Sequence, residues 1–313
     1  METAPLCIGI DVAKDQLDIA IGATGDTWTV ANSEAGIETL LTNLRSCDCS
    51  LVVLEATGGF EIPAVSALAA AGLPVVVANP RQVRNFARAT GQLAKTDRLD
   101  ARILALFAER VRPEVRPLPD DAARLLDALL TRRRQVSGMI VAEHNRLGFA
   151  PAPLKKSIEK HIRWLQRELD SVDGDLGKAI QASPVWRAKE ALYRSVPGIG
   201  PVISRTLIAE LPELGRLSHR KIASLVGLAP LARDSGKMKG KRMVFGGRAS
   251  VRGALYMAAV VGIRHNAVVR AFYYRFRERG KPPKLALIAC AHKLLTILNS
   301  MACTEESWRT EHA

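Results

Sequence analysis

The sequence predicts an α/β domain at the N-terminus, a helical middle region and a mainly helical C-terminal domain. Short apolar runs alternate with helical periodicity in the first third, which is typical of a sheet with helices on its faces. Long segments with leucine and isoleucine at helical spacing follow. Shorter helices separated by glycine-rich turns then complete the chain. We place the domains at 1–115, 116–190 and 191–300, with a tail at 301–313.

Composition indicates a globular protein outside the membrane. The chain has 313 residues, of which 48% are hydrophobic and 24% charged, enough for more than one core. It has no run of 18 apolar residues and no signal-peptide pattern at its start. Its five cysteines are odd in number and unevenly spaced, which indicates reduced thiols. We therefore expect a cytoplasmic protein with no membrane partner.

The net charge of +14 is concentrated near the C-terminus. Residues 231–293 contain fifteen Lys and Arg against two acidic residues. This asymmetry predicts a polyanionic partner, most often a nucleic acid. A merely well-solvated basic surface is the alternative.

Two predicted buried strands end on carboxylates. Leu6 to Val12 is an apolar run with Asp11 near its end, and Leu51 to Leu54 is another, followed by Glu55. Further strands are predicted at 17–21, 28–30 and 73–78, with helices around 37–44, 62–71 and after Pro80. Because ligands of open α/β sheets bind at the carboxyl ends of the strands, both acids are candidate ligands.

Two more carboxylates open a predicted helix. Asp97 and Asp100 are three residues apart in Lys-Thr-Asp-Arg-Leu-Asp-Ala, so both side chains leave the helix on the same side. Binding of a divalent cation would explain the pair, and an ordinary acidic first turn is the alternative. With Asp11 and Glu55, four carboxylates could hold two metal ions for phosphoryl transfer. Their hard oxygen ligands favour Mg²⁺ or Mn²⁺.

The middle region predicts a helical hairpin. Apolar residues repeat at spacings of four and three from Ile158 to Ile180, as in a coiled-coil seam. An earlier amphipathic run lies around Leu125 to Leu130, and Pro151 and Pro153 separate the two helices. The hairpin could mediate dimerisation, act as a spacer, or be a plain packing element within a domain.

The segment Ser195-Val-Pro-Gly-Ile-Gly, followed by an apolar helix, has the shape of a helix-hairpin-helix. Gly198 and Gly200 would let backbone N–H groups approach a phosphate without sequence preference. A plain turn between two helices is the alternative.

A basic stretch surrounds Ser235 in Arg233-Asp-Ser-Gly-Lys-Met-Lys-Gly-Lys-Arg242. By itself this pattern favours a flexible basic loop that contacts phosphates, and Ser235 as a nucleophile is the other interpretation. No histidine is near in sequence to act as its base. Ser218 and Gly227 mark the ends of a predicted helix before this stretch, and Arg248 precedes another, from Ser250 to Ile263, that contains Arg252. Two further predicted helices, Arg270 to Arg279 and Leu285 to Leu298, complete the region. We expect nucleic-acid contacts from Gly198, Gly200, Arg233, Lys237, Lys239, Lys241, Arg242, Arg248 and Arg252.

Several motifs in this order resemble a known family. Gly-Ile-Asp-Val-Ala-Lys, Glu-Ala-Thr-Gly and Lys-Thr-Asp-Arg-Leu-Asp-Ala are similar to the insertion-sequence transposases with a DEDD tetrad, the one-hundred-ten family. Ser-Val-Pro-Gly-Ile-Gly, Asp-Ser-Gly and Gly-Gly-Arg with Val-Arg-Gly-Ala-Leu-Tyr-Met resemble its C-terminal transposase domain. The resemblance covers almost the whole chain. Phe60 departs from it, since tyrosine is common there.

The resemblance implies a RuvC-like domain with an RNase H fold, in which Asp11, Glu55, Asp97 and Asp100 bind Mg²⁺. It also implies that Ser235 forms a 5′-phosphoserine link to DNA. The expected enzyme recombines donor and target DNA, guided by a bridge RNA, as a homodimer that assembles into a tetramer.

Two other functions compete with this one. A Holliday-junction resolvase would use the same acids to activate water, with Ser235 only contacting phosphate. A nucleic-acid-binding protein with an inactive RNase H-like fold is a further alternative, and the four intact carboxylates argue against it.

Overall fold

A computed structural model describes residues 6–22, 25–45, 47–92, 97–232, 234–236, 238–240 and 242–309, without the side chains of residues 97, 98 and 239. The chain divides into two compact units. We call residues Met1–Leu118 the α/β unit and residues Pro119–Ala313 the helical unit.

The α/β unit is built on one five-stranded sheet. Its strands are β1 (Leu6–Val12), β2 (Gln16–Ile21), β3 (Thr27–Ala31), β4 (Cys49–Glu55) and β5 (Val75–Ala78). They lie in the order β3-β2-β1-β4-β5, in which β1 to β3 form an antiparallel meander and β4 and β5 run parallel to β1. This mixed sheet confirms the α/β class predicted for the N-terminal region, and it is consistent with an RNase H-like transposase.

Helices cover both faces of this sheet. They are α1 (Glu34–Arg45), α2 (Ile62–Ala70), α3 (Pro80–Ala89) and α4 (Asp97–Val111). Because successive side chains in a strand point to opposite faces, Ile8 and Ile10 of β1 pack with α1 and α2. Cys7 of β1 and Val53 of β4 instead pack with α3 and α4. Because helices cover both faces of the sheet, β1 and β4 are mostly apolar and do not alternate between apolar and polar residues.

The helical unit surrounds a single large core. Its helices are α5 (Asp121–Phe149), α6 (Ala152–Ala182), α7 (Pro184–Arg194), α8 (Pro201–Glu210), α9 (His219–Val226), α10 (Ala249–His265), α11 (Ala267–Glu278) and α12 (Pro283–Thr304). Between α9 and α10 lie four two-residue strands, β6 (Pro230–Leu231), β7 (Asp234–Ser235), β8 (Met238–Lys239) and β9 (Met243–Val244). The mostly helical C-terminal part was predicted; these strands were not.

Helices α5 and α6 pack along each other as a hairpin. Of the predicted seam residues, Leu165, Val172, Leu176 and Ile180 are buried. Arg133 of α5 donates two hydrogen bonds to the Asp173 carboxylate of α6, at 2.6 and 3.1 Å. Supercoiling and a role in dimerisation remain predictions.

Helix α12 is a core helix of this unit. In the described part of the chain it is the one helix long and apolar enough to cross a membrane by length and composition. Leu294, Leu295 and Leu298 are buried in the core of the helical unit, which explains its apolar composition without a membrane.

Candidate active site and nucleic-acid interface

In the α/β unit, the candidate site is the sheet edge where β1 and β4 end. These strands are parallel neighbours, and Ile10 pairs with Leu54. The following residues are Asp11 and Glu55, so the register places the two acids side by side. Both lie on the face of the sheet that α3 and α4 cover, because residues two positions earlier, Gly9 and Val53, pack there. The structure thus brings together two residues that the sequence singled out.

Gly9 allows helix α4 to lie directly on β1. A methyl group at Gly9 would be 2.2 Å from both the Ala101 carbonyl oxygen and the Ala105 amide nitrogen. Gly22, whose N–H bonds to the carbonyl of Cys7, lies instead near Ala105 and Glu109. Helix α4 therefore runs antiparallel to β1, and its first turn lies over the end of β1 that carries Asp11.

This orientation places Asp97 and Asp100 at the same sheet edge. Asp97 precedes Ala101 by about 6 Å of helix, and Asp11 follows Gly9 by about 7 Å of strand, so both lie beyond the close contact in the same direction. Among the described side chains, no group of three Asp, Glu, His or Cys residues stands close enough together to hold a metal ion. The Asp97 side chain lies outside that description.

Two residues that sequence analysis missed organise the loops after β1 and β4. The Asn32 side chain donates to the carbonyl oxygens of Ala13 (2.9 Å) and Phe60 (3.1 Å), and so joins the two loops. The Glu61 carboxylate accepts from the N–H groups of Thr57 and Gly59, at 3.1 and 2.8 Å. Asn32 lies two residues after the strand predicted at 28–30, in a turn where Asn commonly bonds to nearby backbone, and this was the available signal.

Asp18 is a further acid near this edge that sequence analysis missed. It pairs with Asp11 across β1 and β2, on the same face of the sheet, and only 4% of its surface is exposed. Its carboxylate accepts hydrogen bonds from Gln16 (2.9 Å) and Thr29 (2.6 Å). In the sequence, the polar residues Gln16 and Asp18 alternate with apolar residues, and this was the available signal. These two hydrogen bonds satisfy the acceptors of the buried Asp18 carboxylate and hold it in position.

A separate candidate site in the helical unit is a β-hairpin with Ser235 at its tip. Strands β6 and β9 pair through Leu231 and Met243, and strands β7 and β8 pair through Ser235 and Met238. Gly236, at φ +55°, begins the two-residue turn, as tight hairpin turns require. We had predicted a flexible polar loop for this stretch. Ser235 is exposed, and the ladder holds its backbone.

The Asp234 carboxylate makes hydrogen bonds to the opposite strand of this hairpin. Between the pairs Leu231–Met243 and Asp234–Lys239, the first strand has two residues and the second has three, so the pairing register shifts by one residue. Asp234 accepts hydrogen bonds from the Gly240 N–H (3.2 Å) and from two nitrogens of Arg242 (2.8 and 2.9 Å). Arg242, predicted to contact nucleic acid, thus makes a bidentate ion pair beside Ser235.

The base of the hairpin is held by backbone contact and by Arg252. A methyl group at Gly227, the left-handed C-cap of α9, would be 2.1 Å from the Gly246 carbonyl oxygen. Arg252 donates to the carbonyl oxygens of Val226 (3.1 Å) and Gly246. The Arg252 guanidinium, another predicted nucleic-acid contact, therefore joins the end of α9 to the end of the hairpin.

Arg248 makes a similar internal contact. Its guanidinium binds both oxygens of the Glu213 carboxylate at 2.6 Å and the Glu210 carbonyl at 2.8 Å. Glu210 also bonds to Arg134 and Ser250 through its carboxylate. Burial, followed by the negative charge of Glu210, raises the pKa of the nearby Asp127 carboxyl. This cluster fixes the start of α10 against the end of α8.

The two glycines of the predicted helix-hairpin-helix have different surroundings. Gly198, at φ +102°, lies against α10, where an added methyl group would be 3.0 Å from the Gly262 Cα atom. Asn266, the N-cap of α11, donates to the Pro197 carbonyl and holds this turn. Gly200 caps the N-terminus of α8, and the space around it is open. Only Gly200 thus leaves room for a phosphate.

Some predicted site residues lie outside the described part of the chain. These are Arg233, Lys237 and Lys241, together with the side chains of Asp97 and Lys239. Their contacts with metal or nucleic acid stay predictions.

Comparisons with known proteins agree with the order of these elements. Residues 8–148 match the family model of the IS110-type DEDD transposase, described as Transposase. Residues 190–274 match the model described as Transposase IS116/IS110/IS902 family. The chain belongs to the IS110 family of transposases. It is therefore a DNA-processing enzyme, as the sequence motifs predicted.

Three relatives of this transposase are similar to it along nearly their full length. It is 29% identical over 301 residues to a pilin gene-inverting protein of Moraxella lacunata and 28% identical over 301 residues to that of Moraxella bovis, covering 93% of each chain. It is 24% identical over 376 residues to the 44.8 kDa protein of insertion element IS116 from Streptomyces clavuligerus, covering 94% of each chain.

Proposed function

We propose that this transposase excises and inserts its insertion sequence through a covalent 5′-phosphoserine intermediate on Ser235. The observation that carries the proposal is the position of Ser235, exposed at the tip of a hairpin that Asp234 and Arg242 hold in place. A nucleophile must be both accessible and fixed in direction to attack a phosphate in line. Ser235 has both properties.

In the proposed step, Ser235 Oγ attacks the scissile phosphorus. A bond forms between Oγ and phosphorus, the bond from phosphorus to the 3′ oxygen breaks, and the hydroxyl proton of Ser235 is lost as the 3′ oxygen gains one. A 3′ hydroxyl of the second DNA then reverses the step, so the strands rejoin without ATP. The thiols of Cys49 and Cys290 are poor alternative nucleophiles, since burial raises their pKa to about 11.

The acids of the α/β unit would hold the divalent metal. Asp11 and Glu55 lie side by side at the sheet edge, and Asp97 and Asp100 begin the helix above it. These carboxylates supply the hard oxygen donors that Mg²⁺ or Mn²⁺ prefers. Such an ion, when bound, polarises a phosphate and lowers the pKa of a hydroxyl near it.

Basic residues around the hairpin would bind the DNA backbone. We assign this role to Arg233, Lys237, Lys239 and Lys241, with the open N-terminus of α8 at Gly200 as a second phosphate contact. Arg242, Arg248 and Arg252 have internal partners, so we assign them the positioning of the hairpin.

The same basic region would bind a guide RNA. Residues 231–293 carry fifteen cations against two acids, more than a single phosphodiester contact requires. We further propose a homodimer that assembles into a tetramer through the α5–α6 hairpin, on which Phe149 and Trp164 are exposed. The enzyme would act in the cytoplasm on donor and target DNA.

Site-specific inversion is a second candidate function. It is favoured by the two relatives named pilin gene-inverting proteins, which match over 93% of each chain. Inversion and transposition share cutting and rejoining, and differ in how the recombining sites are arranged.

Covalent trapping tests the serine mechanism. Full-length protein with its co-purified RNA is incubated with Mg²⁺ and labelled donor and target DNA, and label that migrates with protein on a denaturing gel is measured. We expect an adduct with the natural chain and none with Ser235→Ala or Asp11→Asn. Ser224→Ala, at an exposed serine of α9, is the matched control and keeps the adduct.

Other outcomes would replace the proposal. Free cleaved ends without adduct, together with an active Ser235→Ala variant, would indicate a hydrolytic nuclease such as a resolvase. An adduct that survives complete RNase treatment of the protein would remove the guide RNA from the proposal. Products from two sites on one DNA molecule would distinguish inversion from insertion.

A further inference from the structure

The hairpin that carries Ser235 also exposes four large apolar side chains. The exposed fractions are 46% for Leu231, 64% for Met238, 57% for Met243 and 70% for Phe245. A hairpin so short has no core of its own, so these side chains have little to pack against within it. Exposed apolar clusters of this kind mark sites of interaction.

The ion pair shows that these side chains share one face with Ser235. Successive residues of a strand point to opposite faces, and paired residues point to the same face. Asp234 and Arg242 are in direct contact, so they share a face. Ser235 and Met243, the next residue in each strand, therefore both point to the other face.

The remaining apolar residues follow from the pairing. Met238 is paired with Ser235, and Leu231 is paired with Met243. Phe245 comes two residues after Met243, and the same alternation places it on this face. The hairpin thus has an apolar face that includes the candidate nucleophile, and an opposite face that holds the Asp234–Arg242 ion pair.

The surrounding charge favours a nucleic acid over a protein as the partner of this face. Arg233, Lys237, Lys239 and Lys241 alternate with the apolar residues in sequence, and the one acid, Asp234, is neutralised by Arg242. Lysine is depleted at the centre of protein interfaces, whereas apolar side chains flanked by cations are typical of proteins that open base steps in DNA.

We propose that the apolar face of the hairpin is a wedge that unstacks duplex DNA at the cleaved step. This inference rests on the proposed serine mechanism. The Cβ atoms of the paired Ser235 and Met238 are about 5 Å apart, and a base step in one strand is about 3.4 Å long. Met238 therefore lies within about two steps of the phosphate that Ser235 attacks. Phe245 supports the same bases from the base of the hairpin.

Fluorescence of 2-aminopurine tests the wedge directly. The base is placed on either side of the cleavage position, in a duplex with one end of the element joined to its flanking DNA. Fluorescence rises when the natural chain binds and unstacks that base. We expect Met238→Ala and Phe245→Ala to bind DNA but to lose most of this rise, and to form adduct about tenfold more slowly.

A matched variant and a pre-opened substrate complete the design. Met257→Ala in α10 removes an exposed side chain of the same kind away from the hairpin, and this variant should behave as the natural chain. A duplex mismatched at the cleaved step is already unstacked. It should restore adduct formation to the two wedge variants, whereas Ser235→Ala should remain inactive on it.

Three results would overturn the wedge. The first is a fluorescence rise that persists in both wedge variants. The second is a mismatched duplex that does not restore adduct formation to them. The third is a change in the oligomeric state of the variants, which would indicate that the apolar face binds a protein. If the natural chain forms no adduct at all, the serine mechanism fails, and the 2-aminopurine signal still decides whether the hairpin opens DNA.

Discussion

The two units hold their candidate catalytic residues by different means. In the α/β unit, Asp11 and Glu55 are at the ends of buried strands, and a helix lies directly on the backbone of Gly9. In the helical unit, Ser235 is at the tip of an exposed hairpin that the Asp234–Arg242 ion pair and the hydrogen bond from Gly240 to Asp234 hold in place. The comparison teaches that the acids depend on core packing, whereas the serine depends on polar contacts near the surface.

Gly9→Ala should have the largest effect, because it disturbs the core packing that holds the acids. The new methyl group would be 2.2 Å from backbone atoms of α4, which cannot move aside as a flexible side chain would. We expect the α/β unit to lose about 3 kcal/mol of unfolding free energy and Mg²⁺-dependent cleavage to disappear. Urea unfolding and amide hydrogen exchange of β1 and α4 measure the first, and the trapping assay the second.

Gly138→Ala in α5 is the control for this substitution. Nothing lies within 4 Å of an added methyl group there, and alanine favours a helix, so stability should be equal or slightly higher. A Gly9→Ala variant with natural stability would show that the close approach of α4 is not required.

Glu213→Gln distinguishes two roles for Arg248 and should have an intermediate effect. If Arg248 positions the start of α10, removing its partner should weaken the helical unit by about 2 kcal/mol, as Arg248→Gln does, and the double variant should show strong coupling. If Arg248 instead contacts DNA, then Glu213→Gln, which removes a negative charge, should tighten DNA binding. Thermal unfolding and DNA-binding titrations at fixed salt separate the two cases.

Asp234→Asn should have the smallest effect on stability. The side chains of Asp234 and Arg242 are 40% and 49% exposed, so the loss should stay below about 1 kcal/mol. Asparagine keeps an acceptor for Gly240 but loses the charged pair, so Ser235 should be held less firmly and adduct should form more slowly at unchanged melting temperature. Equal adduct rates for Asp234→Asn and the natural chain would show that the Asp234–Arg242 ion pair does not position Ser235.

Much of the fold followed from local patterns. Residues 6–12 were predicted as a strand and are β1, and Ser218 and Gly227 correctly mark the ends of α9. Helix α11 begins at Ala267 rather than at Arg270, because Asn266 accepts hydrogen bonds from the N–H groups of Val268 and Val269. Helix α12 continues to Thr304, beyond the predicted end at Leu298.

The hairpin was harder to predict because its strands are only two residues long. Such strands show no periodicity, and the shift in register between their two sets of pairs has no mark in the sequence. We expected nucleic-acid contacts from Arg242, Arg248 and Arg252, because the sequence shows the charge of an arginine and does not show which group it binds. Their acceptors are up to 38 residues away, so only the folded chain reveals them.

The sequence by itself determined the order of strands and helices outside the Ser235 hairpin, the two acids near the ends of β1 and β4, and the family motifs around Ser235. These are local properties, written in periodicity, capping residues and short motifs. Tertiary structure decided that α4 lies over Asp11, that three arginines bind acceptors within the chain, and that Ser235 shares an apolar face with Met238. Each of these depends on a register or a contact between distant residues, and many registers are compatible with one local pattern.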